Sequence, residues 1–362
     1  MTSAQWARHY DEMAQSFRQY QRLYARGCPA TQVVAVEQNW LRLLPGVLSE
    51  AEHLPASAGA ADELFTSLWV RLCHTSPEFQ QQGLDQLRKA LTAITDTASA
   101  ELLAIAAALH LAQTSDLPLD WQAIAELCQP CSKALPALMN LSWPEAASAQ
   151  VATWWPEGLQ AALQQLYQQH QAEALLALPD EALTDNAITA LGLALQLGEA
   201  AALPRLQSLE TNHTEAVLGA YWISGQRDAA GLLLDALRTP HKAKIAARYW
   251  ALYSGQSLEW VPAMGLVGSE QKQGIELPDA DQAEQWWQQS TADKTALWQG
   301  NPVTNESIHQ ALSQHWGRPI APLWALWQFQ QRKLLPDPLT QWHSDRLAIL
   351  AQLSREAASA SG

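Results

Sequence analysis

The chain has 362 residues, of which 48% are hydrophobic and only 16% are charged, and its formal net charge is −14. This length suits two domains or one extended repeat array, and the composition excludes an intrinsically disordered protein. Because 36 acidic residues outnumber 22 scattered basic ones, we expect no nucleic-acid partner, which would require Lys and Arg to displace phosphate counterions.

Helix-forming residues dominate the whole chain. Ala, Leu and Gln are abundant, and few stretches alternate apolar and polar residues over the length of a strand. The sequence therefore predicts an all-α protein.

The ends and the longest apolar runs bear on localisation. The N-terminus lacks the apolar segment of an export signal, and the runs 102–112 and 187–197 are shorter than the ~20 residues that span a bilayer. Four Cys in 362 residues provide no disulfide framework. We therefore expect a cytoplasmic protein with no membrane partner.

Residues 1–150 are predicted to form an N-terminal helical region. Three polar residues precede apolar segments as helix caps do, and they are Ser76, Asp120 and Ser142. The segment 101–112 is apolar nearly all round, so a buried helix is expected there. No repeat spacing is recognisable in this part of the chain.

Residues 151–261 show a recurring pattern of paired helices. Gly198, Gly225 and Gly255 each close an apolar helix, at intervals of 27 and 30 residues, as left-handed C-terminal caps do. Gly192 and Gly219 share the 27-residue step. This pattern predicts stacked antiparallel helix pairs that bury each other's apolar faces, as in an α-solenoid or superhelix. The alternative is chance similarity among Ala-rich helices.

The composition changes after Trp260. Residues 262–280 are rich in Gly and Pro and predict a long loop or linker, with a short strand near Ile275–Leu277. Residues 281–362 form a predicted C-terminal helical region. Its helix starts include a capping box at Asp279 and Gln282 and a capped start at Thr304.

Motifs for catalysis and for cofactors are missing from the sequence. It contains no GxxxxGK[ST], GxGxxG, GxSxG or HExxH pattern. Cys128 and Cys131 form a CxxC, but it follows the end of a predicted helix and has no second ligand pair, so buried helix-end cysteines are expected. The acidic run 276–284 flanks a helix start, where carboxylates favour the helix dipole. We therefore expect no enzyme, no metal and no cofactor.

Tryptophan is the most unusual feature of the composition, with 17 Trp against 4 Phe. Adjacent Trp residues on a helix point about 100° apart, so one of each pair is expected to lie off the core stripe. Trp is also enriched at protein-binding hot spots. Although Trp also serves as core filler in place of Phe, we take five residues as candidates for partner binding: Trp154, Trp155, Trp286, Trp287 and Trp298.

Three motifs in the C-terminal half resemble a known family. They are Arg248-Tyr-Trp-Ala-Leu-Tyr-Ser-Gly255, then Leu277-Pro278-Asp279 followed by Trp286-Trp287, and then Gly300-Asn301-Pro302-Val303-Thr304. In order and spacing they resemble a family of bacterial HEAT-like-repeat proteins encoded in type VI secretion loci. The resemblance implies a HEAT-like fold without enzymatic activity, in a protein that accompanies secreted toxins and their spike carriers.

Two protein-binding functions are compatible with these observations. The first is a type VI secretion scaffold that binds a toxic effector or its spike carrier as a loading adaptor or chaperone. The second is a cytoplasmic immunity protein that neutralises a cognate toxin, such as a nuclease, whose basic surface the −14 charge would attract. An enzyme with a site assembled across repeats is a third alternative, for which the sequence gives no indication.

Overall fold

The computed structural model of the protein describes residues 3–55, 60–94, 100–113, 119–129, 147, 151, 154–262, 276–289, 296–334, 347–352 and 355. Regular structure in these residues is almost entirely α-helical, with three pairs of strands no longer than three residues. The all-α prediction is therefore confirmed. The described residues of Met1–Trp155, Ser313–Arg318 and Pro336–Gly362 form one compact unit, and those of Pro156–Leu312 and Pro319–Leu335 form a second.

The first unit is built mainly from α-helices. Its elements are α1 (Ser3–Arg26), β1 (Cys28–Pro29), α2 (Ala30–Leu48), α3 (Ala61–Leu72), α4 (Pro77–Ala93), α5 (Ala100–Gln113), α6 (Trp121–Cys128) and β6 (His315–Trp316). α1 packs against α2 and α3, and α3 packs against α4 and α5. The predicted burial of 101–112 is confirmed for Leu102, for Ala104 to Leu109 and for Ala112.

Aromatic rings fill the centre of the first unit. Phe17 of α1 stacks on Phe65 of α3 with ring centroids 4.4 Å apart, and Trp40 of α2 lies 4.7 Å from Phe65. Trp316 reaches this core from β6, which pairs with β1, and lies 4.6 Å from Tyr20. Burying such large apolar surfaces is the main stabilising contribution to this unit.

The second unit holds the predicted helix pairs. Its elements are α7 (Leu159–Gln164, continued by a π-helical turn, Gln165–Gln169), α8 (Glu173–Ala177), α9 (Asp185–Gln196), α10 (Ala202–Leu209), α11 (Thr214–Ser224), α12 (Arg227–Leu237), α13 (Pro240–Ser254), β2 (Trp260–Pro262), β3 (Glu276–Pro278), α14 (Ala280–Gln289), β4 (Leu297–Trp298), β5 (Asn301–Pro302), α15 (Asn305–Gln314) and α16 (Ala321–Gln331). The last two residues of α15 belong to the first unit.

Glycines end several helices of this unit and allow one close helix contact. Gly198, Gly225 and Gly255 have φ angles of +89°, +65° and +76°, which confirms the left-handed caps. A Cβ on Gly192 would lie 2.3 Å from the carbonyl oxygen of Ala220, so the absence of a side chain allows α9 to pack directly on α11. The 27-residue step therefore has a structural basis, while the HEAT-like assignment itself stays a prediction.

α16 covers part of the paired helices. It packs against both α9 and α11, and eight of its eleven residues are buried. Pro322 lies so close to α11 that a Cβ on Gly219 would be 2.7 Å from its Cγ. The apolar face that α9 and α11 share is therefore occupied in part by the chain's own helix.

Some of the predicted helix caps form the expected hydrogen bonds and others do not. Asp120 accepts a hydrogen bond from the Ala123 amide at 3.0 Å, whereas the Ser76 side chain makes no cap bond although α4 begins at Pro77 as expected. Thr304 Oγ1 accepts from the Ser307 amide, and Ser307 Oγ accepts in return from the Thr304 amide. Ser142 lies outside the described residues.

The division into four regions stays a prediction. The boundary between the two units follows Trp155, close to the predicted one at 150, whereas the predicted region 281–362 contributes residues to both units. Residues 263–275 of the predicted linker lie outside the described residues. The strand expected near Ile275–Leu277 is found as β3, which pairs antiparallel with β2.

Candidate protein-binding surface

The C-terminal end of α13 organises the region that carries most of the candidate tryptophans. The carbonyls of Leu252 and Tyr253 accept hydrogen bonds from the amides of Gln299 and Gly300, each at 2.8 Å. Gly300 has a φ of +79°, and a Cβ there would lie 3.0 Å from the Ser254 oxygen. The turn at Gln299–Gly300 thus satisfies carbonyls that a helix end otherwise leaves unpaired.

The motif residues that carry the family resemblance have structural roles here. Leu277 and Pro278 lie on β3, and Asp279 Oδ1 caps α14 by accepting from the amides of Asp281 and Gln282 at 3.0 and 2.9 Å. The second hydrogen bond of a capping box, from the Asp279 amide to the Gln282 side chain, does not form. Gln282 Oε1 instead accepts from the Glu259 amide at 3.4 Å, and the Asp279 amide donates to the Glu259 carbonyl.

Trp286 and Trp287 pack their rings onto α13 and are only half-buried. The Trp286 ring lies edge-on to Trp250 at 5.5 Å and to Tyr253 at 6.1 Å, and the Trp287 ring lies 5.8 Å from Tyr253. Both indoles therefore stabilise the fold with one part of their surface and leave another part accessible to a partner.

Two of the five candidate tryptophans are core residues. Trp298 is 9% exposed, lies 6.0 Å from Trp222, and follows Leu297, whose carbonyl accepts a hydrogen bond from the Trp222 indole. Trp154 is 5% exposed within the core of the first unit, and Trp155 packs half-buried against the same core. We therefore assign Trp154 and Trp298 to the core and no longer to a partner-binding surface, because packing within the chain already covers their rings.

Among the described residues, one exposed tryptophan was not among the predicted candidates. On β2, Trp260 is 47% and Val261 is 37% exposed, and Pro262 is exposed beside them. We call these three residues the Trp260 patch. The sequence pattern does not predict this exposure, because a strand of three residues is too short to show a periodicity. The only available signal was the Trp–Val–Pro sequence at the point where the composition changes.

Among the described residues, β2 pairs with one strand only, so its second edge has no described partner strand. β2 pairs with β3 in the register Trp260↔Pro278 and Val261↔Leu277. The Asp279 amide donates to the Glu259 carbonyl at 2.8 Å, so these two residues are a hydrogen-bonded pair. Because such pairs alternate along an antiparallel ladder, the amide and carbonyl of Trp260 point away from β3. An extended chain could add to this edge.

Carboxylates are frequent in the strands and the helix that carry and follow the Trp260 patch. Described residues 259–262 and 276–284 contain five acids and no base. Glu259 and Glu276 are exposed, whereas Asp281 and Glu284 bind Arg238 at 3.2 and 2.7 Å. The hydrogen bond to Glu284 is the largest effect that raises the pKa of the Arg238 guanidinium. The patch therefore combines an exposed indole with a negative potential, an arrangement suited to cationic side chains.

The residues considered for other chemistry do not form a site in the part of the chain that the structure describes. Cys128 is fully buried at the end of α6, and Cys131 lies outside the described residues. No group of three or more His, Cys, Asp and Glu side chains is arranged to hold a metal ion within the described ranges.

Comparisons with known proteins give no relative. No protein-family model matches the chain, and neither a curated protein nor a solved structure is similar to it. Among the described helices, none combines the length and the apolar character needed to cross a bilayer.

Proposed function

We propose that this protein is a non-catalytic scaffold that binds a toxic effector, or the spike protein that carries it, as a loading adaptor or chaperone for type VI secretion. The exposure of Trp260 and Val261 on an edge strand is the observation that carries the protein-binding part. The association with secretion rests on the resemblance of the motifs between Arg248 and Thr304. Proteins at this stage of secretion are in the cytoplasm.

The Trp260 patch has the features of a binding hot spot. An indole that is half accessible offers a large rigid surface at low cost in side-chain entropy, and a partner that covers it removes apolar area from water. The open backbone edge offers main-chain hydrogen bonds to an extended segment, as in β-strand addition. Trp286 and Trp287 extend the aromatic surface on the element that follows β3.

The negative charge near the Trp260 patch favours a partner with basic residues. Glu259 and Glu276 are exposed and have no basic residue among their described neighbours in sequence. A segment with Lys or Arg beside apolar residues would place its cations against these carboxylates and the Trp260 ring. We therefore propose that the effector or spike protein presents an extended basic segment to the Trp260 patch.

The same negative potential favours one second candidate, an immunity protein. A nuclease toxin carries basic residues around its nucleic-acid site, and an acidic surface would associate with it quickly. The two candidates differ in the phenotype of a strain that lacks this protein. Loss of an adaptor stops secretion of the toxin, whereas loss of an immunity protein leaves the cell sensitive to it.

Affinity capture from the host under secreting conditions tests the proposal. Tagged wild-type protein is expected to retain a toxin or a spike protein, identified by quantitative mass spectrometry. Trp260→Ala should reduce that protein in the captured material at least ~10-fold, since a hot-spot residue contributes about 2 kcal/mol or more.

A matched control separates the patch from exposed apolar surface in general. Leu41 of α2 is 48% exposed and belongs to the first unit, so Leu41→Ala removes similar accessible surface elsewhere. This variant is expected to capture the partner like the wild type. Equal loss in both variants, or capture of no secretion protein by the wild type, would contradict the proposal.

A further inference from the structure

The second half of α1 presents a row of arginines to solvent. Arg18, Arg22 and Arg26 follow each other at intervals of four residues, and all three are exposed. Four residues make about one helical turn, so these side chains leave one face of α1 at steps of ~6 Å along its axis. We call these three residues the α1 arginine row.

Several segments that surround this part of α1 contain no carboxylate. Residues 13–36, which include β1 and the start of α2, have no acidic residue, and neither do residues 313–318, which include β6. The chain after β6 contacts α1 closely, since a Cβ on Gly317 would lie 2.7 Å from the Tyr24 oxygen. Arg318 follows directly. The local charge is therefore positive in a chain whose formal net charge is −14.

Two of the three arginines have no counter-charge among the described residues. Asp62 at the start of α3 binds Arg18 at 2.9 Å. Neither Arg22 nor Arg26 forms an ion pair or a side-chain hydrogen bond with a described residue. The helix dipole favours a cation in the last turn, which accounts for Arg26 but not for a row that extends over two turns. At least two positive charges are therefore available to a partner.

The rest of this exposed face is uncharged. Between residues 15 and 26 the other exposed side chains are those of Gln15, Gln19 and Ala25. None of them repels a carboxylate or competes with it for a guanidinium. An acidic partner would therefore meet a surface whose only charges are the arginines.

We propose that the α1 arginine row binds an acidic segment of a partner protein. A guanidinium offers two parallel donors that match the two oxygens of a carboxylate, which suits Arg to this recognition. A helix with Asp or Glu at four-residue intervals presents carboxylates at the same spacing as the row. Long polyanions and anionic bilayers are disfavoured, because they experience the net charge of −14 of the whole chain.

This surface is distinct from the Trp260 patch. The α1 arginine row belongs to the first unit and Trp260 to the second. The two surfaces have opposite charge and therefore favour different partners. The inference does not depend on the proposed function, although two docking surfaces would let a loading adaptor hold its effector and the carrier together.

Fluorescence anisotropy with a fluorescein-labelled deca-glutamate peptide tests the proposal on the full chain. At an ionic strength of about 0.15 M, which screens charges beyond ~8 Å, this probe is expected to bind and a labelled Gly–Ser decapeptide is not. Arg22→Gln/Arg26→Gln should weaken binding of deca-glutamate at least ~3-fold, since each exposed ion pair contributes modestly. Absence of binding by the wild type would overturn the proposal.

A second double variant provides the matched control. Arg88 and Lys89 are exposed on α4 of the same unit, so Arg88→Gln/Lys89→Gln changes the net charge by the same amount. This variant should bind deca-glutamate like the wild type, and so should Trp260→Ala. Equal weakening in the two double variants would show that net charge, and not the α1 arginine row, attracts the peptide.

Two further probes distinguish the class of partner. A labelled double-stranded oligonucleotide and vesicles containing phosphatidylserine both present phosphate groups. Neither is expected to bind more tightly than deca-glutamate. Tighter binding of either probe that is weakened in Arg22→Gln/Arg26→Gln would mean that the row recognises phosphate, and the proposal of an acidic protein partner would be wrong.

Discussion

Gly192 allows a close contact between α9 and α11 in the second unit. Its missing side chain faces the backbone of α11, where an ideal Cβ would meet the Ala220 oxygen at 2.3 Å. The obstacle is backbone rather than a flexible side-chain end, so one helix would have to move. Gly231 of α12 is also helical but has nothing within 4 Å of its ideal Cβ. The two glycines form a matched pair.

Gly192→Ala is expected to destabilise the protein by about 3 kcal/mol, because an added methyl group in a filled contact forces the backbones apart. Gly231→Ala should instead stabilise it by about 0.5–1 kcal/mol, since alanine reduces the entropy of the unfolded chain. Chemical denaturation followed by circular dichroism at 222 nm measures both. Similar effects of the two substitutions would mean that α9 and α11 are not packed as described.

Single residues also show how far sequence reasoning reaches. The left-handed glycines at 198, 225 and 255 and the Asp120 cap were predictable, because these conformations depend on local chemistry. The exposure of Trp260 was not predictable. Whether an indole is covered depends on residues distant in sequence, as the burial of Trp154 and Trp298 by their own units shows.

At the scale of elements, the short helix α8 depends on a distant arginine. α8 has five residues, too few to be stable alone. Arg205 of α10 donates to the carbonyls of Leu175, Leu176 and Leu178 at the end of α8, and also binds Asp180 at 3.0 Å. One planar side chain thus binds three carbonyls at the C-terminal end of α8.

Arg205→Lys is expected to cost about 1–3 kcal/mol although the charge is retained, because an ammonium group lacks the fork that reaches several acceptors at once. Arg227 at the start of α12 is exposed, and Arg227→Lys serves as the control with an expected change within about 0.5 kcal/mol. Urea denaturation compares the two variants. Equal stability of Arg205→Lys and the wild type would show that charge alone holds α8.

Element boundaries were predictable where a capping residue marks the start of a helix. α15 begins at Asn305, directly after the start predicted at Thr304, and α4 begins at Pro77, directly after Ser76. The pairing of β1 with β6 was not predictable. Each strand has two residues, and a segment so short carries no periodicity that could indicate its partner almost 300 residues away.

At the scale of the whole molecule, buried tyrosines determine the response to alkaline pH. Burial is the main cause that raises the pKa of Tyr10, Tyr221 and Tyr253 in the folded state. In the unfolded chain these hydroxyls lose their protons near pH 10. Above this pH the unfolded state therefore binds fewer protons than the folded state, and stability falls as pH rises.

We expect the free energy of unfolding to decrease above pH 10 by about 1.4 kcal/mol per pH unit for each such tyrosine. Tyr221 offers the best test, since its buried hydroxyl has no partner among the described residues. Tyr221→Phe should match the wild type at pH 8 and should lose about 1 kcal/mol less between pH 10 and 11. Urea denaturation at these three pH values would contradict the assignment if both proteins lost stability equally.

The route of the chain has a consequence for how the protein is made. The polypeptide leaves the first unit after Trp155 and returns to it for Ser313–Arg318, which includes the fully buried Trp316. It then re-enters the second unit with Pro319–Leu335, which includes α16. A ribosome builds chains from the N-terminus, and domains usually fold in that order. The first unit is completed only after Trp316 and the described residues beyond Leu335, which include the buried Leu350, have been synthesised. The second unit is completed only after α16 has been synthesised, so both units are completed late in synthesis. A translation product that stops before Trp316 therefore lacks parts of both units, and exposes apolar surface to chaperones and proteases on each of them.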